Sequence, residues 1–166
     1  MLRLASSLAL ILIATAPSWA GELAKPAAEP ILKVQGAITT MNDGETAAFD
    51  LSMLDALPQH TIKATTPWYD GEHEFSGVVI GDLLETLGAS GESVTVTALN
   101  DYSAEIPMED IKDYPVILAT RVDGEELSVR DKGPLFVIYP FDEHPDLYNE
   151  VIFSRSVWQV ASLTVH

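Results

Sequence analysis

Hydrophobic spacing divides this chain into short blocks that switch between the strand and helix periods. Leu32 to Ile38 predicts a first strand. Asp50 to Pro58 predicts a short helix: Asp50 suits the N-cap, Leu51, Leu54 and Leu57 share a face, and Pro58 stops the run. His60 to Thr65 alternates like a strand, and Trp68 to Ser76 reads as an irregular polar loop with three aromatics. A second helix places Ile80, Leu83, Leu84 and Leu87 on one face and ends at Gly88. Ser93 to Leu99 is a β-branched strand, turned by Asn100-Asp101-Tyr102, and Pro107 to Asp113 suits a helical turn. Pro115 to Thr120 predicts a buried strand, with Asp123-Gly124 as a hairpin signal. Leu135 to Tyr139 and Ser156 to Val165 complete the strands. Two helices against this number of strands predict a single α+β domain, a mixed β-sheet with short covering helices.

The start of the chain follows another pattern. Arg3 precedes an apolar run from Leu4 to Ala16, and Pro17-Ser18-Trp19-Ala20 closes it with small residues at the last and third-last positions. That layout predicts a signal peptide over residues 1–20, cut after Ala20, and an exported, periplasmic protein. The run is shorter than the roughly 20 residues a membrane-spanning helix needs. Residues 21–33, rich in Ala and Pro at their start, read as a flexible lead-in, and 34–166 as the domain.

Composition removes several functions. The chain contains no cysteine, which excludes disulfides, thiol catalysis, thiolate metal sites and c-type haem attachment. A net charge of −16 repels nucleic acid and anionic membrane surfaces. It also makes each cation noticeable, among them Arg130, Lys132 and Arg155 near the C-terminus.

Five polar, aromatic loops sit at predicted strand ends: Trp68 to Asp70, Asn100 to Tyr102, Ser128 to Pro134, Tyr139 to Asp142 and Ser154 to Gln159. Sites concentrate in such loops, and the same residues are also ordinary turn chemistry. In order, FSGVVIGDLLETLGA, ALNDYSAEIP, PVILATRVDGEELSVRDKGPLFVIYPFD and SRSVWQVASLTV resemble the oxidoreductase molybdopterin-binding domain family, with its sulfite-oxidase-type fold. The resemblance runs from about Val34 to the C-terminus and implies an α+β domain. It implies that the stretches at Arg130 to Pro134 and Arg155 to Gln159 hold a pterin and its phosphate, and that Asn100-Asp101-Tyr102 faces the site. It further implies that Lys132 stands where many of the family's enzymes carry a histidine, and that catalytic members hold molybdenum through a cysteine. In the loop Lys63 to Trp68 the nearest counterparts of that cysteine are Ala64 and Thr65.

The expected ligand is therefore a pterin without molybdenum. Trp68, Tyr102, Tyr139 or Trp158 is placed to stack on the ring, Asp101 or Asp131 to pair with its amino edge, and Arg130 or Arg155 with a carbonyl or phosphate. For Trp158 the alternative is a core aromatic, and for the arginines a salt bridge. Length, export and cysteine loss resemble the family's small exported pterin-binding regulators, the PruR type. That resemblance implies a ligand sensor without turnover, touching the periplasmic domain of a membrane-bound cyclic-di-GMP enzyme. The rival expectation is a molybdopterin-dependent oxidoreductase, or a subunit of one, with a non-cysteine metal ligand. His60, His73, His144 and His166 show no metal spacing.

Overall fold

A computed structural model describes residues 23–166, so the leader expected over residues 1–20 lies outside the described residues. In chain order the elements are β1 (Leu32–Gly36), β2 (Ala47–Phe49), α1 (Leu51–Asp55), β3 (Gln59–Thr65), β4 (Glu72–Val79) and α2 (Ile80–Thr86). They continue with β5 (Ser93–Ala98), β6 (Ser103–Pro107), α3 (Met108–Asp113), β7 (Ile117–Val122), β8 (Glu125–Glu126), β9 (Phe136–Ile138), α4 (Glu150–Arg155) and β10 (Val160–Val165). One sheet has the order β2-β1-β10-β5-β6. It is mixed, because β1 and β10 run parallel while its other pairs are antiparallel. The second sheet, β3-β4-β7-β8 with β9 also on β7, is antiparallel. The architecture is the α+β domain expected.

Alternation explains the strands of the core. Leu32 and Val34 of β1 and Val94, Val96 and Ala98 of β5 are buried, with the intervening residues more exposed. In α2, Ile80, Leu83 and Leu84 turn inward, and Gly88 takes the left-handed conformation that ends the helix. No helix among the described residues is long and apolar enough to cross a membrane.

The structure departs from the sequence pattern where one face is polar or the element lies at an edge. Glu72 to Ser76, expected as loop, belongs to β4: Phe75 is fully buried while Glu72 and Glu74 point to solvent. β6 is an edge strand paired only with β5, and Ile106 is its one buried residue. α4 buries only Ile152 and is set by a cap, the Asn149 Oδ1 accepting from the Val151 and Ile152 N–H groups. The strand expected from Ser156 begins at Val160, after an irregular segment that matters to the site.

The lead-in is tied down from Leu23 onward. Leu23 packs on the core, and the Asn42 Nδ2 donates to the Ala24 carbonyl at 2.6 Å. The Asp50 Oδ2 accepts from the Ala27 and Ala28 N–H groups at 2.7 and 2.9 Å. Its Oδ1 caps α1 through the Met53 N–H at 2.9 Å and accepts from the Ser52 hydroxyl at 2.6 Å. One carboxylate thus starts a helix and fastens a strap 22 residues away in sequence.

The Ser52 hydroxyl first, then the Ala28 and Met53 N–H groups, hold the Asp50 carboxyl well below the usual carboxylate range. A depressed folded value stabilises the fold above the unfolded-state value of about 3.9, and that contribution is lost as pH falls. Asp50→Asn is expected to lower stability at neutral pH and flatten the acid limb of the stability–pH curve. Urea melts from about pH 2 to 6 measure this, and an unchanged acid limb contradicts it.

Candidate functional site

A cleft of about 330 Å³ opens where the two sheets meet. The turn after β3 supplies Trp68; the end of β5 and its turn supply Ala98, Asn100 and Tyr102. The end of α4 and the segment behind it supply Phe153, Ser154, Ser156, Val157 and Trp158. The Trp68 ring lies 5.3 Å from Phe136 and 5.8 Å from Phe153, edge-on to both, and 6.3 Å from Trp158. Such edge-to-face packing stabilises an aromatic wall by about 0.5–1.5 kcal/mol per pair beyond area burial.

Trp158 is 42% exposed at the mouth. Its backbone bridges to Phe136, which joins this segment to the second sheet before β10 enters the first. The next residue, Gln159, has φ +54, an uncommon conformation for a residue with a side chain. Three hydrogen bonds hold it: its N–H donates to the Lys132 carbonyl, its Nε2 donates to the Val129 carbonyl, and its carbonyl accepts from Leu99. This anchored kink separates Trp158 from the strand that follows.

The neighbouring turn is equally determined. Asp101 sits at φ +65, and its N–H donates to the Ala98 carbonyl. The Asn100 Oδ1 accepts from the Tyr102 N–H at 3.1 Å, and the Tyr102 hydroxyl donates across the cleft to the Ser154 carbonyl at 3.0 Å.

Of the residues singled out in the sequence, Trp68, Asn100, Tyr102 and Trp158 line this cleft, and the others do not. Asp101 is exposed in the turn beside it. Tyr139 is fully buried in the core, its hydroxyl donating to Asp110 Oδ2 at 3.0 Å. Burial first, then the Asp110 carboxylate, pushes that hydroxyl far above the ordinary tyrosine range. Arg155 pairs with the same Asp110 oxygen at 2.8 Å, the salt bridge that was the alternative for it. Arg130 and Asp131 lie in a 3-10 turn, Val129–Asp131, and Lys132 ends it, its carbonyl accepting from the Gln159 N–H beside Trp158. There the Tyr69 hydroxyl donates to the Asp131 carbonyl, and the Lys132 ammonium lies 4.4 Å from the Tyr69 ring centroid. Phe153 and Ala98 were not expected at the site, whereas Val157 falls within the expected Arg155 to Gln159 stretch. The two unexpected residues are small or apolar side chains whose sequence context resembles core, and α4 itself carried no helical signal.

The segment Lys63 to Trp68 holds no thiolate. Ala64 is fully buried, and the Thr65 N–H and hydroxyl both donate to the Asp142 carboxylate. The Thr66 hydroxyl is buried without a hydrogen-bond partner. No cluster of three or more His, Cys, Asp or Glu side chains suited to a metal occurs among the described residues. His73 instead contacts Asp123 Oδ2 at 2.7 Å and the Asp70 carbonyl at 3.1 Å. Its pKa is raised, chiefly by the Asp123 contact.

Residues 32–141 match the family model described as the oxidoreductase molybdopterin binding domain. The chain belongs to that family. No curated protein matches it in sequence. Among solved structures it is similar to the sulfane dehydrogenase SoxCD from Paracoccus pantotrophus, with a TM-score of 0.62 and 20% identity. The match covers 81% of this chain and 37% of that one, so the chain spans little more than a third of its neighbour, and the likeness shows the fold alone.

The molybdopterin-binding domain fits one half of its family's group. Two indoles and a phenol around an open, mainly apolar cleft suit the flat face of a pterin. The metal half lacks its thiolate, and the neighbouring Thr65 hydroxyl is already committed to Asp142.

Three stability outcomes follow. Tyr139→Phe removes one hydrogen bond and is expected to cost about 1 kcal/mol. Asp110→Ala strands both a buried hydroxyl and a guanidinium and is expected to cost about 2–3 kcal/mol. Thr66→Val removes an unsatisfied buried hydroxyl at constant shape and is expected to leave stability unchanged or raise it by up to about 1 kcal/mol. Thermal unfolding of the three variants measures each, and a reversed order for Tyr139 and Asp110 contradicts the bridge.

Proposed function

We propose that this chain is an exported pterin-binding protein that holds its ligand without turning it over. In this reading it reports the bound pterin to the periplasmic region of a membrane-bound partner such as a cyclic-di-GMP enzyme. The observation that carries the binding part is the cleft walled by Trp68, Trp158 and Tyr102 in a molybdopterin-binding domain. The absence of turnover is supported by a sequence without the cysteine that ties the family's enzymes to molybdenum. Export and the signalling partner rest on the leader-like residues 1–20 and on the resemblance to the family's small regulators.

The family description and the sulfane dehydrogenase neighbour favour a second reading. In it the chain is a molybdopterin-dependent oxidoreductase, or a subunit of one, with a non-cysteine metal ligand. Metal content distinguishes the two, because stoichiometric molybdenum in protein purified from its native host supports the oxidoreductase.

Titration of the purified domain with a reduced, unphosphorylated pterin is expected to change the fluorescence of Trp68 and Trp158, with micromolar affinity. Trp158→Ala is expected to weaken binding by about tenfold or more, in line with ring stacking at roughly 1–3 kcal/mol. Absence of binding to any pterin at high micromolar concentration overturns the reading.

A further inference from the structure

The polar groups of the cleft are unequally committed. The Tyr102, Ser154 and Ser156 hydroxyls each donate their proton to a backbone carbonyl, of Ser154, Val151 and Ile152 respectively. A hydroxyl so engaged offers a ligand only lone pairs. Asn100 is different: besides the indole N–H groups of Trp68 and Trp158, it is the side chain of the lining that keeps protons to donate. Its Oδ1 is taken by the Tyr102 N–H, while its amide N–H₂ donates to nothing among the described residues. None of the side chains lining the cleft is charged. The nearby guanidinium of Arg155 is paired with Asp110, and the Lys132 ammonium sits over Tyr69.

Resting on the pterin reading above, we propose that Asn100 is the specificity-determining residue of this cleft. Its amide N–H₂ reads the carbonyl acceptor on the edge of a flat, uncharged heterocycle. The turn fixes the amide's direction, because the bond to Tyr102 leaves the nitrogen as the free end of the side chain. This assignment replaces recognition by Asp101 or Asp131, neither of which lines the cleft. A site built to donate to a carbonyl rejects an analogue that presents a donor at the same place, since two donors then face each other without a partner.

Calorimetry with two probes tests this: tetrahydro-dimethylpterin, and its diamino analogue in which an amino group replaces the ring carbonyl. The wild-type protein is expected to prefer the pterin by at least about tenfold. Asn100→Asp keeps an oxygen for the Tyr102 N–H but presents no donor. It is expected to lose about tenfold or more for the pterin and to abolish or reverse the preference. Asn100→Ser, which also retains an oxygen for the turn but falls short of the ligand, is expected to weaken the preference while its melting temperature stays at the wild-type value. The same preference in wild type and both variants overturns the role of Asn100 and leaves pterin binding standing. Failure of the wild type to bind either probe overturns the pterin reading itself, and this inference with it.

Discussion

Asp110 accepts from the buried Tyr139 hydroxyl and from the Arg155 guanidinium through a single oxygen. That carboxylate joins three separate pieces of chain: α3, the end of β9 and the last residue of α4. The helix α4 buries only Ile152 and has little packing of its own, so the ion pair at its C-terminus and the Asn149 cap at its N-terminus determine where it lies. Everything on the far wall of the cleft follows from that placement. Phe153 and Ser154 are on the helix, and Ser156, Val157 and Trp158 leave it directly. A partly buried ion pair contributes little when both partners are present, yet leaves a costly charge when one is removed. The interaction therefore acts more through position than through net stabilisation.

The cleft is also a product of how two sheets share one segment. Residues 157–160 bond first to the β9 side, through Val137 to Val157 and Val160 to Leu135, and then continue as β10 in the other sheet. A chain that changes sheets must kink, and the kink here is Gln159 with its positive φ. Residues beside such a kink are free of the strand's alternation, which is how a tryptophan next to the core remains 42% exposed. The neighbouring turn reaches the same result through Asp101. The Leu99 N–H donates to the Gln159 carbonyl, so two turns of positive φ are bonded to each other at one end of the cleft. Both are overdetermined by hydrogen bonds, as expected of backbone held for binding.

Charge and chemistry point in one direction within this family. The chain carries a net −16, while the cleft presents rings, indole N–H groups, hydroxyl lone pairs and one amide. An anionic ligand meets no cation in such a lining, whereas a neutral ring gains apolar contact and directed hydrogen bonds. Arg155, between the lining residues Ser154 and Ser156, has its charge matched by Asp110 rather than left for a ligand.

The sequence by itself determined the class of fold, because burial imposes its period on any strand or helix with one apolar face. Leu83, Leu84 and Leu87 in α2, and Val94 and Val96 in β5, were legible for that reason. It also determined which chemistry is absent, since a chain without cysteine supplies no thiolate wherever it folds. Trp68, Asn100, Tyr102 and Trp158 were legible as candidates because polar and aromatic residues at strand ends stand out against a core pattern. What only the tertiary structure decided was which of the candidates meet. Tyr139 and Trp158 carry the same signal in the sequence, yet one is sealed in the core against Asp110 and the other stands at a cleft mouth. That difference arises from contacts between residues tens of positions apart, which no local pattern records.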